Sequence, residues 1–161
     1  MIIQATPEDI QALERLYHKR VDYNDAQGIH QWDHAEVMWK HLAEIYEISD
    51  FYVVKHDDEI IAAASIVDYD PRYWPQIPPK QSLYLHKLCV DPQYSKQGFS
   101  TRLLNFFKAK GRKEGYPDVR LDVRSHKKKL RAMYEAQGFV HVETLSLFEG
   151  YDTALYRFDL K

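Results

Sequence analysis

The stretch Lys96-Gln97-Gly98-Phe99-Ser100-Thr101 has the residue types that hold an anion. It stands between Asp91-Pro92, which closes a predicted strand, and a predicted helix. A helix N-terminus offers several unpaired N–H groups and about half a positive charge, which suits a phosphate. Gly98 lets the backbone come close, Ser100 and Thr101 carry hydroxyls, and Lys96 adds charge. No Gly-Lys-Ser/Thr follows a first glycine at the spacing of a nucleotide P-loop, so that class is set aside. An ordinary capped loop has the same ingredients, and on this stretch alone both readings stay open. A second cluster, Arg124, His126, Lys127, Lys128, Lys129 and Arg131, lies before another predicted helix, where positive charge opposes the dipole. An anionic ligand, RNA included, or plain solvent can offset that. His30, His34 and His41 lack a spacing that makes ligands converge on a metal. Cys89 lies inside an apolar strand, where packing is its expected role. No metal is expected.

A mixed α/β pattern positions these groups. Thr6-Pro7-Glu8-Asp9 starts a helix, with a hydroxyl at the N-cap, a proline at the first helical position and an acid at the third. Ile10, Leu13, Tyr17 and Val21 follow at helical spacing, and the polar stretch 22–31 breaks the pattern. A second helix is expected from about Asp33, burying Ala35, Met38, Leu42 and Ile45. Strands at 51–55 and 60–68 flank a hairpin turn. Pro71, Pro75, Pro78 and Pro79 keep 70–80 out of regular structure, and Tyr73 and Trp74 there suggest a loop lying over a site or an interface. A strand at 82–90, a helix at 98–114 with Phe99, Leu103, Phe106 and Phe107 on one side, and a strand at 119–123 come next. A short helix carries Leu130, Met133 and Tyr134 and ends at Gly138, before a closing hairpin of 140–148 and 153–159. The two strands of the unit 82–123 are expected to be parallel neighbours. Ligands of such units sit at the carboxyl ends of the strands, here Leu88 to Ser100.

The chain has 161 residues, 45% hydrophobic and 29% charged, which fits a single folded domain over 1–161. Twenty-two basic against 24 acidic residues leave a net charge of −2, so nucleic acid is not an expected partner. No apolar run approaches the ~20 residues that cross a bilayer. The opening MIIQATPEDI lacks the basic and apolar regions of a signal peptide. With its single cysteine, the chain is expected in the cytoplasm, with no membrane partner.

The run Leu85-His86-Lys87-Leu88-Cys89-Val90-Asp91-Pro92, then Lys96-Gln97-Gly98-Phe99-Ser100-Thr101-Arg102-Leu103-Leu104, resembles the acetyl-CoA-binding motif of the GNAT superfamily of N-acyltransferases. Leu130-Arg131-Ala132-Met133-Tyr134-Glu135-Ala136-Gln137-Gly138-Phe139 is similar to the family's later Tyr-Glu-x-x-Gly-Phe segment. The order of predicted elements agrees with the family's, so the resemblance covers nearly the whole chain. Departures exist. The family's phosphate loop reads Gln/Arg-x-x-Gly-x-Gly/Ala, and this chain has Ser95 at the first position and Ser100 at the last. Ser95 is too short for the polar arm expected there, which leaves that work to Lys96 or Gln97. Lys127 stands where the family has an asparagine.

The resemblance implies an α/β fold with a mixed, mostly antiparallel sheet, a central parallel strand pair and flanking helices. It implies transfer of an acetyl group from acetyl-CoA to a primary amine, read here as a small molecule such as an amino acid or a polyamine-like amine. A non-catalytic acyl-CoA-binding module, or acetylation of a protein amine, is the alternative, and a homodimer is left open. It also implies cofactor contacts at Leu88, Cys89, Val90, Lys96, Gln97, Gly98, Phe99, Ser100, Thr101 and Lys127. The tyrosine matching Tyr134 lies beside the cofactor sulfur in the family, where its phenol meets the departing thiolate. The stretch around His86 often carries a glutamate that removes a proton from the amine, and a histidine can do the same near neutral pH. A histidine merely hydrogen-bonded within the sheet is the competing reading. On the acceptor side, Tyr23, Asp33, Asp68, Tyr69, Arg72 and Trp74 combine acids and aromatics that suit a cationic amine, while Arg72 suits a substrate carboxylate.

Overall fold

The first helix starts where its capping residues demand. In this computed structural model, which describes residues 1–147 and 149–161, the Thr6 N–H donates to Asp9 Oδ2 at 2.8 Å. A 3-10 turn, Pro7–Asp9, then leads into α1 (Ile10–Ala26), which buries Leu13, Leu16, Tyr17 and Val21. The helix runs on through the polar residues expected to break it. Asp22 and Asp25 simply form its outer face, and Arg20 Nη1 donates to Asn24 Oδ1 at 3.4 Å, one turn on.

The helix expected from Asp33 is absent. Turns at 34–37 precede a single helical turn, α2 (Trp39–Leu42), whose first N–H donates to Glu14 Oε2 of α1 at 2.9 Å. A distant side chain, not a local capping box, sets this start. Val37, Leu42 and Tyr46 are buried, while Ala35 and Met38 are exposed and Ile45 is 73% exposed, a correction to the predicted apolar face.

The strands are β1 (Ile2–Gln4), β2 (Phe51–His56), β3 (Glu59–Val67), β4 (Leu83–Val90), β5 (Asp118–Arg124), β6 (Val140–Ser146) and β7 (Asp152–Asp159). Helix α3 (Phe99–Lys113) joins β4 to β5, and α4 (Lys128–Ala136) follows β5. Sheet order is β1-β2-β3-β4-β5-β7-β6. β4 and β5 are parallel, pairing Leu83 with Val119 and Tyr84 with Arg120, as a helical crossover requires. β1–β2, β2–β3, β5–β7 and β6–β7 are antiparallel. The fold is the mixed, mostly antiparallel sheet with one parallel pair that the sequence predicts. The last part of the predicted strand 140–148 reaches Phe148, which lies outside the described residues.

The chain divides into two compact units, Met1–Ser65 with Lys87–Leu103, and Ile66–His86 with Leu104–Lys161, and the divisions fall inside β3, β4 and α3. In the first unit the buried Phe51 ring meets Tyr17, Trp39 and Tyr46 edge-on, at centroid distances of 6.4, 6.1 and 5.5 Å. In the second, Trp74, Tyr84 and Leu155 form a buried cluster, and the Arg120 guanidinium lies 4.7 Å from the Trp74 ring.

Trp74 therefore anchors the proline-rich loop rather than lining an acceptor surface, because its ring is 1% exposed. This corrects the expectation that it touches substrate. Trp74→Ala should cost about 3–5 kcal/mol of stability, read as a lower midpoint in urea unfolding. A change below about 1 kcal/mol would show that the loop is held by something else.

Candidate active site

β4 ends in a backbone irregularity. Lys87 has φ +56°, a left-handed value that costs an L-residue about 1–2 kcal/mol. It interrupts the alternation that predicts one shared face for Tyr84, His86, Leu88 and Val90. Tyr17 Oη donates to the Lys87 carbonyl at 2.6 Å, and Lys87 Nζ lies 5.1 Å from the Trp32 ring centroid. Arg20 donates from Nε and Nη2 to the Val90 carbonyl. Lys19 Nζ sits 3.1 Å from Oδ2 of the buried Asp91, whose Oδ1 accepts the Gln93 N–H at 2.9 Å. Side chains of α1 thus hold the strand end from which the loop departs. Cys89 lies in this grip, and burial pushes its thiol up to about 12, with Arg20 offsetting only part. It stays protonated and unreactive.

The loop is shaped for an anion. Lys96 (φ +61°) and Gly98 (φ +86°) both take left-handed values, a pattern that turns successive N–H groups toward one side. No atom lies within 4 Å of where a Gly98 Cβ would stand. The Arg102 N–H donates to the Gly98 carbonyl at 3.0 Å, so the N–H groups of Phe99 and Ser100, in the first turn, have no acceptor within the helix. No acidic residue occupies the first turn of α3 to neutralise that end. Ser95 Oγ turns back to the Pro92 carbonyl at 2.9 Å, which leaves Lys96 and Gln97 as the exposed polar arms.

In the second unit, His86 stands between two carboxylates. Its Nε2 is 3.2 Å from Asp70 Oδ2 and its Nδ1 is 3.7 Å from Asp122 Oδ1. Asp70 is supplied by the proline-rich loop: its Oδ1 accepts the Tyr73 N–H at 3.3 Å and its carbonyl accepts the N–H of the anchored Trp74 at 3.0 Å. Asp122 is supplied by β5, between the buried Leu121 and Val123. Asp70 Oδ2 is buried without a hydrogen-bond donor, so its 3.2 Å approach to the ring is an ion-pair contact off the line of the N–H. Donor atoms of Asp70, His86 and Asp122 lie within 4.8 Å of one another, and among the described residues this is the one His/Cys/Asp/Glu group close enough to hold a metal. The carboxylates, however, face opposite ring nitrogens, and a single ion takes only one of these. The arrangement suits proton transfer better, since an imidazolium formed here would have a carboxylate at each edge.

Tyr134 is 6% exposed on α4, edge-on to Phe139 at a centroid distance of 5.8 Å. Gly138 (φ +92°) makes that pairing possible by turning the chain so that the Phe139 N–H donates to the Tyr134 carbonyl at 3.1 Å. Burial, and then the Asp122 carboxylate, push the Tyr134 phenol far above its ordinary value, so it remains a proton donor at every working pH.

The sequence model of the Acetyltransferase (GNAT) family matches residues 12–139. The chain belongs to the GNAT family. It is an acetyl-CoA-dependent N-acetyltransferase. No curated protein matches the sequence significantly. Among solved structures, a chain assigned to the GNAT family from Desulfovibrio desulfuricans shares 17% identity, with 100% of this chain and 99% of that one covered at a TM-score of 0.76. The ribosomal-protein-S18-alanine N-acetyltransferase of Escherichia coli shares 17%, covering 100% and 94% at a TM-score of 0.73. N-acetylglutamate synthase of Neisseria gonorrhoeae, solved with coenzyme A and N-acetyl-glutamate, shares 18%, covering 100% of this chain and 35% of that one at a TM-score of 0.69. At these identities the likeness is one of fold.

The remaining GNAT candidates fall on either unit. Lys127 caps α4, and burial, then Arg124, lower its ammonium from the usual value. Arg131 Nε donates to Tyr156 Oη at 2.8 Å and the Arg124 guanidinium lies 4.2 Å from the Tyr151 ring, so part of the basic cluster serves the fold. Tyr23 is exposed beneath the Arg20 guanidinium, and Asp33 pairs with His30 at 3.2 Å. Tyr69 and Arg72 are exposed, whereas Asp68 accepts the Tyr116 hydroxyl. His34 is bound to Asp22 and His18, each at 2.7 Å. The sequence marks neither Asp70 nor Asp122 as a partner of His86. The one available signal is an acid in the polar position of an alternating strand, Leu121-Asp122-Val123, on the parallel partner of the histidine strand.

Proposed function

We propose that the chain acetylates the primary amine of a small cationic molecule, with His86 as the proton acceptor and Tyr134 as the donor to the leaving sulfur. The observation that carries this reading is His86 held between Asp70 and Asp122. Acetyl-CoA supplies an activated thioester. The Lys96–Thr101 amides and Lys96 hold its pyrophosphate, Lys127 adds charge for its phosphates, and Leu88 to Val90 pair with its pantetheine arm, the N–H side of Val90 being used because Arg20 occupies the carbonyl. His86 removes one proton from the ammonium. The amine lone pair forms the C–N bond at the thioester carbon, the C–S bond breaks, and the sulfur leaves with its electron pair. A backbone amide near Val90 steadies the oxyanion, and Tyr134 donates toward the thiolate. The second amine proton balances the thiol that results. The whole chain works as one domain in the cytoplasm on this reading, and no helix among the described residues is long and apolar enough to cross a membrane.

Structural neighbours include one acting on a protein alanine and one bound to an N-acetyl amino acid, so the test spans both. A panel of alkylamines, amino acids and short peptides is incubated with acetyl-CoA and scored by thiol release, to which the buried Cys89 should not contribute. At least one small amine should beat every peptide. His86→Gln should slow turnover ~10²–10⁴-fold and remove the rise of rate with pH on the acid side, with acetyl-CoA binding intact. A wild-type profile in His86→Gln would make the histidine structural.

A further inference from the structure

Tyr134 stands on α4, a helix of nine residues with no acid in its first turn and with Lys128 and Lys129 there instead. A helix this short, with its N-terminal charge opposing the dipole, depends on tertiary contacts to stay in place. One such contact runs through a single hydroxyl. Tyr156 of β7 is fully buried, and it pairs with Leu121 of β5 on one side and His141 of β6 on the other. Its Oη accepts from Arg131 Nε at 2.8 Å and donates to Glu135 Oε2 at 2.5 Å. Arg131 Nη1 also donates to the Ser125 carbonyl at 3.0 Å, in the turn between β5 and α4. Arg131 and Glu135 are four residues apart on one stripe of the helix, so the phenol grips α4 at two points one turn apart. Burial, then the bond to Glu135, push this phenol up, with Arg131 offsetting part, so the donation persists near neutral pH. Two grips on one stripe set how α4 is rolled about its axis. Tyr134 lies next to Glu135 and about 60° around the helix from Arg131. A tyrosine hydroxyl stands about 9 Å from the axis of its helix, so a roll of about 10° carries it about 1.5 Å. A shift of about 1 Å at a reacting group is enough to cost about 100-fold in rate.

We propose that Tyr156 is a positioning residue for the acetyl transfer: by binding Arg131 and Glu135 together it sets the roll of α4, and so the point at which the Tyr134 hydroxyl meets the leaving sulfur. Tyrosine suits this task, because one hydroxyl both accepts from the guanidinium and donates to the carboxylate. Phenylalanine keeps the buried ring and removes only the link. Arg131 and Glu135 can then pair with each other along the helix, which keeps α4 helical but no longer ties it to β7. This rests on the reading of Tyr134 given above.

The test is a double-mutant cycle on kcat, with acetyl-CoA and the fastest amine of the panel. Tyr156→Phe should lower kcat about 10- to 100-fold, with the KM for each substrate within about threefold of wild type. In the Tyr134→Phe background, where no hydroxyl is left to position, the same substitution should cost less than about threefold. A merely structural role lowers kcat by the same factor in both backgrounds, and that result would overturn the proposal. So would a wild-type kcat in Tyr156→Phe. Glu135→Ala should reproduce the loss and its dependence on Tyr134. Glu135→Gln, whose amide oxygen still accepts the phenol O–H, should recover most of it. If Tyr156→Phe fails to fold, Glu135→Ala in the two backgrounds decides, and equal factors there overturn the assignment. A wild-type kcat in Tyr134→Phe alone sinks the reading of Tyr134 on which this rests. A full loss in Tyr134→Phe, with equal Tyr156→Phe factors in both backgrounds, sinks the positioning role alone.

Discussion

Gly98→Asp should abolish acetyl-CoA binding. The position has φ +86° and open space around a would-be Cβ, so the substitution creates no clash. Asp also tolerates the left-handed region better than most residues, which keeps the backbone cost near or below ~1 kcal/mol. What changes is charge. On the proposed reading, a carboxylate would stand where the Phe99 and Ser100 N–H groups of α3 and the Lys96 ammonium hold a pyrophosphate. The expected result is a loss of at least ~100-fold in affinity and disappearance of the rise in melting temperature that saturating acetyl-CoA produces by mass action. Gly98→Ala separates the causes: it carries the backbone strain without the charge and should retain most of the binding. An unchanged thermal shift in Gly98→Asp would move the phosphates away from this loop.

Tyr134→Phe should lower turnover ~10²–10⁴-fold and leave the rest of the protein nearly untouched. The ring stays packed edge-on to Phe139. Only the hydroxyl is removed, so stability should change by less than about 1 kcal/mol. Because burial and the Asp122 carboxylate raise the phenol, its ionisation should contribute no alkaline limb to the rate below about pH 10. The sign of the stability effect is also determined: an unfolded chain ionises this phenol first, so its contribution is complete below about pH 10 and is lost only as pH rises beyond that. Intact turnover with weakened acetyl-CoA affinity would make Tyr134 a wall of the cofactor site. With both unchanged, it would be core alone.

Much of this was legible before any coordinates, and the reason is range. Thr6, Pro7 and Asp9 act within one turn, so the start of α1 could be read directly. The loop from Lys96 to Thr101 depends on its own torsions and on the helix that follows, so its capacity for an anion is written in neighbouring residues. Gly138 behaves likewise, because the turn that brings Phe139 onto Tyr134 spans only the end of α4. The misjudged helix at Asp33 shows the limit. Its actual start, Trp39, is capped by Glu14 from α1, and no local pattern announces a donor–acceptor pair so far apart.

The sequence by itself therefore determined most of the elements and the family, and it marked the loop proposed to hold a phosphate, all set by contiguous residues. Only the tertiary structure decided the chemistry around His86. Asp70 arrives there because Trp74 is pulled into the core and drags the proline-rich loop with it, a result of burial that no spacing encodes. Asp122 arrives because β5 runs parallel to β4 after a helical crossover, which fixes a neighbour across the sheet and not along the chain. The left-handed Lys87 belongs to the same class: the Tyr17 hydroxyl, from another element, meets its carbonyl and helps hold a torsion that the strand pattern would have refused.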